Sequence, residues 1–331
     1  TTMKRQALWL ALFALPLVTT SATAEDKPGT RPLGGGNNCV NIAGGGGSTW
    51  DVCDDFATDN ALPTGGACST GVIGGGASIQ DASLTAPPGS GDAFDEGANV
   101  WVNNAVVGGV RTVVGNRASF APVTRSGLTV NMRYDFLTTE STERTFVSFT
   151  NPTGSSITAT ITYTSNFGSD GGTVINATSS GDAVFTTADR WMITSDGAEN
   201  DPVNTTVVYS GTPALLPSTA TTMAYDCAAT NGALTTYALT VPAGGVRSLL
   251  FFQRITETVA QATSTAAQFN DVQAGSTLLA GLTPTELAQV QNIGAGVPPP
   301  PATPVPMSAQ ALAILAGVLA LFGLVVVRRR T

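Results

Sequence analysis

The chain contains no histidine. That absence removes the Ser–His and Cys–His nucleophile pairs, the His-ligated zinc sites and the imidazole proton shuttle, and with them the commonest hydrolase mechanisms. Charged residues make up only 11% of the chain, and beyond Lys4 the sole lysine is Lys27, which lies in a glycine-rich stretch ill suited to a Schiff-base or Ser–Lys site. Neither Asp170-Gly171 nor Asp196-Gly197 has the Asp-Thr/Ser-Gly form of an aspartic protease. Cysteine is sparse as well: Cys39, Cys53, Cys68 and Cys227 include no Cys-x-x-Cys spacing, which argues against zinc. Their even number points to two disulfides. Of the three possible pairings, Cys39 with Cys53 and Cys68 with Cys227 is the expected one.

Basic charge is concentrated at the ends. Of fifteen Lys and Arg, five (Lys4, Arg5, Arg328, Arg329 and Arg330) lie in the terminal segments, which leaves ten against twenty-three Asp and Glu in between. Such an acidic surface repels phosphate backbones, so nucleic acid is not expected as a partner, whereas cations and neutral glycans are compatible with it.

Long apolar runs are confined to the ends too. Lys4 and Arg5 precede Ala7 to Val18, and Ala22-Thr23-Ala24 then supplies the small residues that a signal peptidase accepts before Glu25, so residues 1–24 read as a secretory signal peptide. At the other end, Ala309 to Val327 is unbroken by charge and would span about 28 Å as a helix at ~1.5 Å per residue, enough for one bilayer crossing. Arg328, Arg329 and Arg330 follow it, and the positive-inside rule places them in the cytoplasm and residues 25 to about 305 outside. The expected location is the cell envelope or surface, with membrane anchoring by this helix at least before processing.

Pro304-Val305-Pro306-Met307-Ser308, the apolar helix and the terminal arginines together resemble the C-terminal sorting signals of the PEP-CTERM and IPTL-CTERM families. The resemblance covers only Pro304 to Arg330. It implies an exosortase-type membrane protease as processing partner, with Pro304 to Ser308 in the position of the recognition motif.

The expected organisation is a signal peptide (1–24), a glycine-rich, cysteine-containing leader (25–91), a β-sandwich ectodomain ending in helices (92–296), a proline-rich spacer (297–306) and the sorting tail (307–331). The leader reads as mostly loop, held where Trp50, Phe56 and the cysteines pin it. From residue 92 short alternating runs take over: Leu128, Val130, Met132, Tyr134 and Phe136 share one face, as do Ile157, Ala159, Ile161 and Tyr163. Asn151-Pro152-Thr153-Gly154 predicts a hairpin joining Phe146–Phe149 to the Ile157 run. Further runs at 100–107, 110–114, 190–194, 205–209, 234–241 and 246–255 give a mainly β chain, an antiparallel sandwich. Two helices close it, one over 257–269 and one opened by the Thr283-Pro284-Thr285-Glu286 capping box and running to about Asn292.

No catalytic residues are assigned. The site hypothesis is two loops, 166–172 and 195–201, whose Asp170, Asp196 and Asp201 offer the oxygen ligands that calcium uses. No cofactor is expected apart from calcium at these loops. The expected function is a non-enzymatic binding or structural role in the envelope or matrix, with a glycan or a matrix protein as partner. The alternative is an extracellular carbohydrate-active enzyme drawing paired carboxylates from Asp135, Glu140, Glu143 and Asp170.

Overall fold

A computed structural model describes residues 39–55, 62, 76–85, 91–225 and 229–294. The signal peptide, the sorting tail, Phe56, Cys68 and Cys227 lie outside these residues. Among the described residues no helix is long and apolar enough to cross a membrane.

The alternating runs form an antiparallel sandwich. The larger sheet has the order Val174–Thr178, Trp191–Ser195, Val203–Val207, Val246–Thr256, Thr142–Thr150, Leu128–Phe136, Arg117–Phe120, Arg111–Val114, with Val123–Arg125 also paired to Leu128–Phe136. The smaller sheet runs Thr219–Thr221, Ala233–Val241, Ile157–Ser165, Asn99–Val102, Ala105–Val106. Their facing sides make one core. Val130, Met132, Tyr134, Phe149 and Phe251 meet Ile161, Tyr163, Tyr237 and Leu239 there, all buried, as the period-2 pattern requires. The Tyr163 and Phe251 rings stack across the sheets with centroids 4.1 Å apart, a contact of about 1 kcal/mol beyond its buried area.

The expected hairpin at Asn151 is not formed. Thr142–Thr150 pairs with Leu128–Phe136 and Val246–Thr256, whereas Ile157–Ser165 pairs with Ala233–Val241 and Asn99–Val102, so the turn carries the chain from one sheet to the other. The link after Val241 makes the same crossing, and the two arches hold each other through Asn151 N–H to Gly245 O (3.0 Å) and Gly244 N–H to Thr153 O (3.1 Å). Turn residues reverse the chain in either case. What selects the arch is that both flanking strands carry apolar inner faces, which gain more by facing each other across a core than by lying edge to edge.

The leader is more ordered than its glycines suggest. Cys39–Ala43, Ser48–Asp55 and Gly76–Leu84 form a three-stranded antiparallel sheet, and Cys39 and Cys53, opposite one another in the first pair, are joined by a disulfide. Trp50 drives its docking. It is fully buried against Phe94 and Phe136, and Arg111 on the sandwich edge donates to Val52 O (2.7 Å) and pairs with Asp54.

The larger sheet is covered on its outer side as well, by the segment after Thr256. Helix Val259–Ala266 and the 3-10 turns Ala267–Phe269 and Thr277–Leu279 pack Ala262, Phe269, Leu278 and Leu279 onto Phe146, Leu250 and Phe252. Burial on both faces explains the unbroken apolar stretch Leu249–Phe252 within Val246–Thr256, whose alternate residues enter the two cores. The second helix, Pro284–Gln289, has the expected capping box between Thr283 and Glu286. It is shorter than expected, because the chain turns extended at Val290 and Ile293–Gly294 pairs in parallel with Ser210–Gly211.

Candidate functional site

Two charged assemblies stand out, at opposite extremes of charge balance. The first is an acidic junction where segment 91–98 meets loop 166–172. Asp95 N–H donates to Asn166 O (3.3 Å), Asn166 N–H to Glu96 O (3.1 Å) and Gly168 N–H to Ala93 O (3.2 Å). Glycine is required at 168: a Cβ there would lie 2.1 Å from the Asp92 carbonyl oxygen. Asp81 joins from the leader sheet, its Oδ1 accepting from Ala82 N–H (2.6 Å) and Ala93 N–H (2.9 Å). Asn204 joins from strand Val203–Val207, its Nδ2 donating to Ala93 O at 2.8 Å.

Asp95 is the centre of this junction. Burial pushes its carboxyl up to about 7, and so do the neighbouring charge of Asp170, a hydrogen bond shared with Asp170, and the charges of Asp81 and Asp201. Asp170 is exposed, so the junction opens to solvent. The backbone is contorted there. Asp92, Glu96, Ala98 and Asp170 all have positive φ (117°, 85°, 61° and 48°), a region sparsely populated by residues with a Cβ.

The second assembly lies on the outer face of the larger sheet. Asp135 pairs with Arg144 (2.8 Å), Arg133 (3.1 Å) and Arg117. Burial alone would raise its carboxyl, but the three guanidiniums outweigh that and hold it below the usual range. Arg144, only 1% exposed, also donates to the carbonyls of Leu278 (2.8 Å) and Ala280 (2.9 Å), which ties the helical cover to the sheet. Arg133 reaches on to Glu286 (2.6 Å) and lies over the Phe146 ring at 4.2 Å. Where this layer meets helix Pro284–Gln289 there is a cleft of about 290 Å³, lined by Phe120, Asn131, Arg133, Ser148, Glu286 and Gln289 among others.

The acidic residues singled out from the sequence divide among these settings. Asp170 shares a hydrogen bond with Asp95, whereas Asp201 acts on it only through its charge. Asp196 is engaged in its own loop instead, accepting from Ala198 N–H (3.0 Å) and from the backbone and side chain of Asn200. Asp135 is locked among arginines, and Glu140 is ion-paired with Arg254. Glu143 is fully buried in the core, where it accepts from Thr145 Oγ1 (2.9 Å) and burial raises its carboxyl well above the usual range. Asp95, Asp81 and Asn204 were missed: each lies outside the two acidic loops, and only the tertiary structure brings them together. Among the described residues, Cys39, Asp51 and Cys53 are the one group of three or more Cys, Asp or Glu whose ligand atoms lie within ligand distance of one another. Their sulfurs are joined in a disulfide and offer no thiolate to a metal.

Fold and sites define an antiparallel β-sandwich with a helical cover on one sheet. No protein-family model matches the chain, and no curated protein does. Among solved structures it is similar to a galactose mutarotase-like protein from Lactobacillus casei, at 8% identity and a TM-score of 0.41, over 66% of this chain and 100% of that one. It is also similar to a polysaccharide lyase, at 12% identity and a TM-score of 0.32, over 68% of this chain but only 33% of the lyase. Likeness of this degree says nothing of substrate or activity.

Proposed function

We propose that this chain is an exported bacterial envelope or extracellular-matrix protein, tethered by its C-terminal helix at least until processing, whose sandwich binds or supports a neighbour rather than hydrolysing it. The observation that carries the reading is the state of the carboxylates. A glycosidase needs two carboxyl groups flanking a substrate bond. Asp135 and Glu140 are instead committed to arginines, Glu143 is sealed in the core, and Asp170 shares a hydrogen bond with Asp95, too close a pair to flank a glycosidic bond. The Cys39–Cys53 disulfide supports export, since such bonds persist in oxidising compartments. The cleft beside Arg133 is the contact surface in this reading, its amides and hydroxyls suited to a glycan.

Pro304 to Ser308 serve as the sorting motif, cut by an exosortase-type protease, and the apolar helix with Arg328, Arg329 and Arg330 halts export and fixes orientation. In a bacterium carrying such a protease, deleting Ala309 to Thr331 should release the protein into the medium. Replacing Pro306 and Ser308 together should leave it membrane-inserted and uncut. Mass spectrometry of the mature protein decides the processing: peptides from Ala309 to Arg330 still attached would make the tail a simple anchor. Incubation with the host's own extracellular polysaccharide should yield no new chain ends. Their appearance would favour the carbohydrate-active alternative.

A further inference from the structure

We infer that Thr206 and Gln253 are the two ends of a self-formed ester cross-link between neighbouring strands of the larger sheet. The inference is independent of where the protein is sorted and of what the cleft binds.

Strand register sets the pair. Thr206 on Val203–Val207 stands directly opposite Gln253 on Val246–Thr256, and both side chains are fully buried. Thr206 Oγ1 donates to Gln253 Oε1 at 2.9 Å. The amide carbon is one bond of about 1.2 Å beyond that oxygen, so it lies about 3–4 Å from the hydroxyl oxygen, a small side-chain rotation from attack distance.

The other end of the amide is gripped as well. From the facing sheet, Tyr163 Oη accepts from Gln253 Nε2 at 2.8 Å and Ser165 Oγ at 3.1 Å. The Tyr163 hydroxyl is also hydrogen-bonded to Thr145, whose Oγ1 donates to Glu143 Oε1 at 2.9 Å. Glu143 stands opposite Gln253 on the other neighbouring strand, and burial keeps its carboxyl in the acid form. No anion therefore opposes negative charge that develops on Gln253 Oε1 during attack.

In the step, the bond from Thr206 Oγ1 to Gln253 Cδ forms and the bond from Cδ to Nε2 breaks. The Thr206 proton passes to Oε1 along the hydrogen bond already in place. Tyr163 gives a proton to Nε2, which leaves as ammonia, and recovers one from Oε1 as the carbonyl re-forms. Alcohol and amide become ester and ammonia, with no oxidant or cofactor. The product is protected, because Thr206, Gln253, Tyr163 and Ser165 are each 0% exposed and the water that would hydrolyse an ester is excluded. The link joins residues 47 positions apart and encloses strand Ala233–Val241 of the smaller sheet, so it restrains the unfolded chain across both sheets.

The test is a peptide map. Full-length protein is reduced, denatured and digested with trypsin at mildly acidic pH, where esters persist, and the products are analysed by mass spectrometry. Cleavage after Arg190, Arg247 and Arg254 leaves Thr206 in Trp191–Arg247 and Gln253 in Ser248–Arg254. The two peptides should appear joined, at their summed mass less one ammonia, and should separate on treatment with hydroxylamine. Thr206→Val keeps the shape without the hydroxyl. It should give two separate peptides with Gln253 intact and a lower melting temperature than wild type in reducing buffer, whereas Thr206→Ser should restore the joined product. The wild-type map decides the matter even if Thr206→Val misfolds: free Ser248–Arg254 with Gln253 intact as the main product would overturn the cross-link. Joined peptides persisting in Thr206→Val would overturn it too, since the attacking group would then be another residue.

Discussion

The arginine–carboxylate layer and the acidic junction handle buried charge in opposite ways. Around Asp135 opposite charges meet: three guanidiniums lie on one carboxylate, and Arg144 also donates to backbone carbonyls. At the junction, carboxylates meet carboxylates. Asp95 compensates by holding a proton toward neutral pH, and Asn204 keeps an idle acceptor in the interior. The layer balances a buried carboxylate with opposite charge, whereas the junction balances it with a proton and a hydrogen bond to Asp170.

If the layer is self-contained, breaking it should be the most damaging change. Arg144→Ala leaves Asp135 short of its most buried partner and frees the carbonyls of Leu278 and Ala280. It should cost about 3–5 kcal/mol in urea denaturation, the usual cost of orphaning a buried charge. A loss under ~1 kcal/mol would mean that the layer is far wetter than its burial implies.

The junction should tolerate charge changes and resist changes of shape. Gly168→Ala drives a Cβ into the Asp92 carbonyl, so a cost of about 1–3 kcal/mol is expected from overpacking, read from urea denaturation.

Opposite pH responses sharpen the contrast between paired and sealed carboxyls. The depressed carboxyl of Asp135 contributes stability that is present above the unfolded value of about 3.9 and is lost as pH falls through its lower folded value. Glu143 works the other way. Its raised folded value means that the unfolded chain loses its proton first, so stability declines as pH rises above about 4.3. Glu143→Gln keeps the shape and the Thr145 hydrogen bond but cannot ionise. The variant should match wild type near pH 4 and exceed it increasingly toward pH 8, as read from melting temperatures. A constant offset at every pH would show Glu143 ionised in the fold.

The smallest effect belongs to the rim of the layer. Glu286→Gln removes a partly exposed ion pair with Arg133 and keeps an acceptor for the Thr283 cap, so the expected loss is below about 1 kcal/mol.

The sequence made the strands legible where one face is buried. Leu128 to Phe136 and Ile157 to Tyr163 alternate because their other faces meet solvent or polar neighbours, and the two caps are local patterns that the helices obey. Two features were hidden by longer-range causes. Asn151 to Gly154 is turn chemistry for a hairpin and an arch alike, and only the packing of the two faces decides between them. The leader's glycines concealed a sheet because its order comes from Trp50 seated between Phe94 and Phe136, residues more than forty positions away. At the junction, Asp170 and Asp201 were readable as turn carboxylates on Gly-containing loops. Asp95 and Asn204 were not, since nothing local distinguishes them from any Asp beside a strand or any Asn within one.

The most direct test of the contrast between the two assemblies is a carbon-13 NMR titration of the aspartate carboxyls. Asp95 should titrate near pH 7, held up by burial and by Asp170, while Asp135 should titrate below the usual carboxylate range. Asp95 and Asp135 titrating together at the ordinary value of about 4 would contradict this.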